Sequence, residues 1–62
     1  MTENELKDRL TRFLADSGVQ MAHACRCIGR SRTLIYEWLR GDAKISVKSL
    51  QLIEEYLKKF NY

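Results

Sequence analysis

His23, Cys25 and Cys27 lie within five positions of one another, and both residue types can bind a metal ion. Structural zinc sites generally take four ligands, with local pairs spaced as in C-x-x-C or as i and i+4 on a helix. Neighbours in this cluster are two positions apart, and on a helix such residues point about 200° away from each other. The chain has no other histidine or cysteine to supply a second cluster. We therefore predict no metal site and no cofactor, with Cys25 as a small buried hydrophobe.

Nucleophilic catalysis is the other chemistry that these residues suggest. His23, Ser31 and Glu37 include the residue types of a hydrolytic triad, but Ser31 stands where a helix N-cap is expected. A reactive thiol at Cys27 has no recognisable base beside it. A chain of 62 residues also offers little room for a cleft that shields a reaction. We expect a protein that is not an enzyme and has no small-molecule ligand.

Length and composition indicate one small domain over residues 1–62. The chain is 45% hydrophobic and 31% charged, and a domain of this size buries only roughly 60% of its unfolded surface. No apolar run approaches the roughly 20 residues of a membrane helix. The first twenty residues carry four acids and lack the apolar segment of a signal peptide. We expect a cytoplasmic protein without a membrane segment.

The elements that must position these residues are all predicted to be helices. Proline is absent, and glycines at positions 18, 29 and 41 divide the chain into four segments. The predicted helices run from Thr2 to Gly18, from about Gln20 to Cys27, from Ser31 to Gly41, and from Ser46 onward. The apolar residues expected in the core are, helix by helix, Leu6, Leu10, Phe13 and Leu14; Met21, Ala24, Cys25 and Ile28; Leu34, Ile35, Trp38 and Leu39; and Val47, Leu50, Ile53, Leu57 and Phe60.

Positive charge is concentrated in the middle of the chain. The formal charge of residues 21–48 is +4, whereas residues 1–20 carry −1 and residues 49–62 are neutral. Such a segment is typical of a face that binds a polyanion, with an ordinary solvated surface as the alternative.

Residues 21–40, MAHACRCIGRSRTLIYEWLR, have the pattern of two helices that meet at a tight turn. Such a pair needs a small residue where the helices touch, a glycine in the turn and a branched apolar anchor on the second helix. Cys25, Gly29 and Ile35 fill these three positions. The pattern predicts a helix-turn-helix formed by the second and third helices.

This segment resembles the helix-turn-helix of phage Cro and repressor proteins and of their wider family of small bacterial transcriptional regulators. The likeness continues through Gly41, Ser46 and the apolar spacing of the fourth helix. It departs from the family at Cys25, where alanine is usual, and at Met21, where a glutamine often opens the second helix. The family's common fifth helix has no clear counterpart, so we expect a compact four-helix, repressor-like domain, with a fifth helix as the alternative.

The resemblance implies a sequence-specific regulator that binds double-stranded DNA, a Cro-like repressor from a phage or mobile element. In the family, residues near the start of the third helix enter the major groove. This maps the base-reading residues onto Ser31, Arg32, Thr33, Tyr36 and Glu37.

Contacts to DNA phosphates form a separate class, because they supply affinity and register but little sequence information. The candidates are Gln20, Arg30, Arg40, Lys44 and Lys48. The amides at the start of the fourth helix are a further anion site. For Lys44 and Lys48 the alternative is a solvated loop.

The C-terminal helix and tail, about residues 46–62, are apolar over more of their surface than one core requires. Beside the core stripe lies a second one, with Leu52, Tyr56 and Phe60 four residues apart and Tyr62 following. Family members commonly dimerise, so we predict a homodimer through these four residues; the alternative is that Phe60 and Tyr62 cover the end of the first helix. The alternative function is a protein-interaction adaptor or antitoxin-like partner without specific DNA readout.

Overall fold

The computed structural model describes residues 2–62, which form four helices and no strand. The helices are α1 (Glu3–Ser17), α2 (Met21–Ile28), α3 (Arg32–Arg40) and α4 (Val47–Lys58). The predicted all-α architecture of four helices is confirmed, and no fifth helix follows α4 in the part described. None of the helices has the length and apolar composition needed to cross a membrane, within the same residues.

Three of the four helices begin at a residue whose side-chain hydroxyl caps the helix. Thr2, Ser31 and Ser46 each accept a hydrogen bond from the backbone N–H three residues later, at 3.1, 3.1 and 3.2 Å. Such caps satisfy N–H groups that have no partner inside the helix. Gln20, the N-cap of α2, makes no side-chain capping hydrogen bond. The boundaries therefore follow the capping pattern of the sequence to within a residue or two.

One apolar core joins all four helices. α1 packs on α4, and α2 lies against both α3 and α4. Trp38 and Phe13 are the largest fully buried side chains. The buried apolar residues are Leu6, Leu10, Phe13, Ala24, Cys25, Ile28, Ile35, Trp38, Ile53, Tyr56 and Leu57. Most predicted core positions are thus buried, and four others pack against the edge of the core: Leu14, Met21, Leu39 and Leu50. Leu34 is half-buried.

The buried face of α4 and its tail differs from the predicted one at three positions. Val47 is 70% exposed and Phe60 is 46% exposed, so the prediction that both belong to the core is wrong. Ile53 and Leu57 are buried as predicted, and Tyr56, which was assigned to the dimer surface, is buried with them. A helix that packs on α1 and α2 buries one stripe only, and here that stripe includes Tyr56 and leaves the first residue of the helix in solvent.

The chain turns back towards α1 after α4. Asn61 has a φ of 63°, the left-handed conformation that asparagine tolerates better than most residues. The N–H of Tyr62 donates to the carbonyl of Leu57 at 3.0 Å, which completes a Schellman-type helix end. This turn directs Tyr62 to the surface of α1.

Aromatic and polar contacts hold the tail in place. The Phe13 ring lies 4.9 Å from that of Phe60 and 5.3 Å from that of Tyr62, between centroids. The Tyr62 hydroxyl donates to Asp16 Oδ2 at 3.0 Å. The Arg9 guanidinium donates to the Tyr62 carbonyl and, at 2.5 Å, to a carboxylate oxygen of Glu54. Phe60 and Tyr62 therefore both contact α1, while Phe60 stays 46% exposed, and the homodimer remains a prediction.

Candidate nucleic-acid interface

The turn between α2 and α3 depends on Gly29. Its φ of 88° is left-handed, while a Cβ placed there would meet no atom within 4 Å, so backbone conformation rather than space favours glycine. The N–H groups of Gly29 and Arg30 both donate to the carbonyl of Cys25, at 2.8 and 3.1 Å. Ser31 then begins α3, so three residues separate the helices.

Cys25 is buried beneath this turn, as predicted for a small core residue. Burial raises the pKa of its thiol above the ordinary value, against a smaller opposing effect of the Arg32 charge. The thiol therefore stays protonated at neutral pH, which makes Cys25 a poor nucleophile and a poor metal ligand.

The outward face of α3 carries the predicted base-reading residues. At 100° per residue, an arc of about 140° on this helix contains, in order, Arg32, Tyr36, Arg40, Thr33 and Glu37. All are exposed except Glu37, which is half-buried. On the opposite side Ile35 and Trp38 are fully buried and fix the rotation of the helix. The structure thus brings four of the five predicted base readers onto one face, together with Arg40.

Two residues near this face have local partners. Ser31, the fifth predicted base reader, uses its Oγ as an acceptor for the N–H of Leu34. Its hydroxyl proton is still able to donate to another group. Arg40 donates through Nε to Asp42 Oδ2 at 3.2 Å in an exposed ion pair. Exposed pairs contribute little to stability, so a stronger anion can displace Asp42 at little cost.

Arg30 joins the turn to the start of α4. Its Nε donates to Ser49 Oγ at 2.7 Å and its Nη1 to the carbonyl of Gly29 at 2.9 Å. Ser49 is only 3% exposed, and its Oγ also lies 3.0 Å from Ser46 Oγ. Arg30 is half-buried and retains further N–H groups. Its structural role was not predicted and does not remove it from the phosphate candidates.

The remaining phosphate candidates are at the surface. Lys44 and Lys48 are exposed on either side of the α4 N-cap. The first backbone N–H groups of α4 and the positive end of its dipole lie beside them, and one of these groups, the N–H of Ser49, donates to Ser46 Oγ. Through Arg30 this end of α4 is joined to the α2–α3 turn. Gln20 is exposed at the start of α2.

The four residues of the predicted dimer surface do not form one open stripe. Tyr56 is 6% exposed inside the core, and Tyr62 is packed on α1. Leu52 is half-buried and Phe60 is exposed. Tyr56 belongs to the monomer's own core, because α4 turns this stripe towards Phe13. Leu52 and Phe60 are the members that a partner could reach.

Ser49 and Arg9 are the site and tail residues that sequence reasoning missed. Ser49 had a local signal, because it follows the Ser46 cap by three residues and so falls within its reach. Arg9 had none, since its partners Glu54 and Tyr62 are distant in the sequence.

Comparison with protein-family models, with curated proteins and with solved structures finds no match to this chain. The likeness to Cro-like regulators therefore rests on the residue pattern of positions 21–57.

Proposed function

We propose that this chain is a cytoplasmic, sequence-specific transcriptional regulator, a Cro-like repressor that binds double-stranded DNA as a homodimer. The observation that carries the proposal is the exposed arc of α3, where Arg32, Thr33 and Tyr36 project beside Glu37. This set combines hydrogen-bond donors, hydrogen-bond acceptors and a methyl group. A helix face that only keeps the protein in solution does not need that combination. The protein binds DNA in this proposal and performs no catalysis.

In the complex, α3 enters the major groove. Arg32 donates two hydrogen bonds to guanine O6 and N7, which is the commonest specific contact in protein–DNA complexes. Glu37 accepts from the amino group of cytosine, and the Thr33 methyl packs on a thymine methyl. Because α3 is anchored by the buried Ile35 and Trp38, these side chains are presented from a rigid element.

Contacts to the phosphates set the position of α3 in the groove. Lys44, Lys48 and the amides of the α4 start bind one phosphate region, next to the turn that carries Arg30. Gln20 adds a contact from the start of α2, and Arg40 adds one from the end of α3. Each such cation releases counterions from DNA, so affinity falls steeply as salt rises.

A dimer contacts a longer DNA site than a single chain does. A single module reads a short site, and two recognition helices in adjacent turns of B-DNA lie about 34 Å apart. Within the predicted dimer surface, the exposed Phe60 and the half-buried Leu52 are the side chains that a second copy can reach.

The test is selection of the purified protein against random duplex DNA at about 150 mM salt, followed by sequencing of the retained fraction. We expect an enriched inverted repeat with half-site centres roughly 10 base pairs apart. Absence of any enriched sequence contradicts the proposal.

Two variants separate readout from phosphate contact on the selected site. Arg32→Ala is expected to cost about 1–3 kcal/mol of binding free energy and to relax specificity at one base pair. Lys44→Ala is expected to weaken binding to all sequences alike and to lower the salt slope by about 1. Lys59→Ala, which removes the same charge beyond the other end of α4, is the matched control and should change neither property.

A protein-interaction adaptor is the second candidate, and the exposed Val47 at the start of α4 favours it. Val47 is 70% exposed at the edge of a shallow groove that Leu50, Gln51 and Glu54 also line. If Arg32→Ala and Lys44→Ala both leave DNA binding unchanged, the result contradicts the DNA proposal and favours the adaptor.

A further inference from the structure

His23 and Cys27 form a close pair on the exposed side of α2. They are four residues apart, so the helix places them on one face, and Cys27 Sγ lies 3.7 Å from His23 Nε2. Both side chains are exposed. The prediction of no metal site considered residues two apart, whereas this pair has the i and i+4 spacing that directs two ligands to the same point.

The separation of the two atoms fits a tetrahedral ion. With Zn–S of about 2.3 Å, Zn–N of about 2.0–2.1 Å and a tetrahedral angle, the sulfur and nitrogen are roughly 3.6 Å apart. The observed 3.7 Å therefore admits a zinc ion without movement of the helix. A simple S–H···N hydrogen bond is the competing explanation of the same distance.

The chemistry of the two donors suits zinc. Cys27 is exposed, so its sulfur is accessible to an ion from solvent, whereas that of Cys25 is buried. On binding, the Cys27 thiol transfers its proton to solvent and the thiolate sulfur bonds to Zn²⁺. His23 binds through Nε2 as a neutral imidazole that keeps its proton on Nδ1.

One chain supplies only half of such a site. No group of three or more His, Cys, Asp and Glu side chains within residues 2–62 is placed to hold a metal ion. Structural zinc sites use four protein ligands, and two copies of the pair give the common Cys₂His₂ set. We propose that His23 and Cys27 form half of a tetrahedral zinc site that the same pair from a second copy of the chain completes.

The test uses Co²⁺ as a spectroscopic substitute for Zn²⁺, with a phosphine reductant to keep the thiols reduced and with no DNA present. We expect the strong visible bands of tetrahedral Co²⁺ and a sulfur-to-metal charge-transfer band, saturating at one ion per two chains and lost on addition of Zn²⁺. Sedimentation velocity at low protein concentration should show more dimer with the metal than without it. Because DNA is absent, the outcome is independent of the proposed regulatory function.

Variants identify the ligands. Cys27→Ser and His23→Ala are expected to abolish the tetrahedral spectrum, and circular dichroism checks that both fold. Cys25→Ala removes the other thiol and should keep the spectrum. The proposal is overturned by an unchanged spectrum in Cys27→Ser, by one octahedral ion per chain, or by no metal binding, which would leave the hydrogen bond as the explanation of the pair.

Discussion

The hydrogen bond between Arg30 and Ser49 gives a prediction that tests how the α2–α3 turn is held. Ser49→Ala removes the acceptor of the 2.7 Å bond from Arg30 Nε and the contact with Ser46 Oγ. It leaves the cap of α4 intact, because Ser46 Oγ accepts from the backbone N–H of residue 49, which alanine retains. The variant therefore isolates the link between the turn and α4.

The magnitude follows from the burial of the two partners. A hydrogen bond to a charged group contributes about 1.5–3 kcal/mol to stability. Arg30 is only half-buried, so water replaces the lost partner and the cost lies at the low end, about 1.5 kcal/mol. In a domain of this size this lowers Tm by about 6–12 °C.

Urea and thermal unfolding followed by far-UV circular dichroism measure the change. Ser17→Ala is the matched control, since Ser17 Oγ accepts an exposed bond from the N–H of Val19, and its cost should stay below about 0.5 kcal/mol. A double-mutant cycle with Arg30→Ala then gives the energy of the pair itself. A coupling energy near zero, or a Ser49→Ala variant as stable as Ser17→Ala, would refute the reasoning.

Three further predictions concern the tail, the buried acids and the thiols. Asn61→Val is expected to destabilise the protein by about 1–2 kcal/mol in urea unfolding, because the left-handed φ of 63° disfavours a β-branched residue, whereas Asn61→Gly should be neutral or better. Burial raises the pKa of both the Cys25 thiol and the Tyr56 phenol, so the unfolded chain releases these protons at lower pH than the folded one. The free energy of unfolding should thus fall as pH rises above about 8.5, and Tyr56→Phe should make the fall above about pH 10 shallower. Alkylation of the reduced protein followed by mass spectrometry should label Cys27 quickly and Cys25 only in denaturant; rapid labelling of both would contradict the burial of Cys25.

Local signals made the helices predictable. The hydroxyls of Thr2, Ser31 and Ser46 each accept a hydrogen bond from the backbone N–H three residues later. Both partners of each cap therefore lie within four consecutive residues of the sequence. The exposed face of α3 was predictable for a similar reason, since the helical period alone separates Arg32 and Tyr36 from Ile35.

Contacts between different helices could not be predicted from local spacing. Two apolar stripes of α4 overlap, and only its packing on α1 decides that Tyr56 rather than Val47 is buried. The bond from Arg30 to Ser49 and that from Arg9 to Glu54 join different helices, so no spacing rule indicates them. His23 and Cys27 differ from these, because their spacing of four was visible and only the distance shows that the side chains meet.

The attachment of the tail to α1 also bears on the order of folding. The bonds of Arg9 and Tyr62 join residues 45 to 53 positions apart, so they close a loop of most of the chain. The α2–α3 turn, by contrast, forms between neighbours. Loop closure costs entropy before its contacts form, so local pairs tend to form earlier. We expect the helix-turn-helix to assemble first and the docking of α4 and its tail on α1 to complete the cooperative transition.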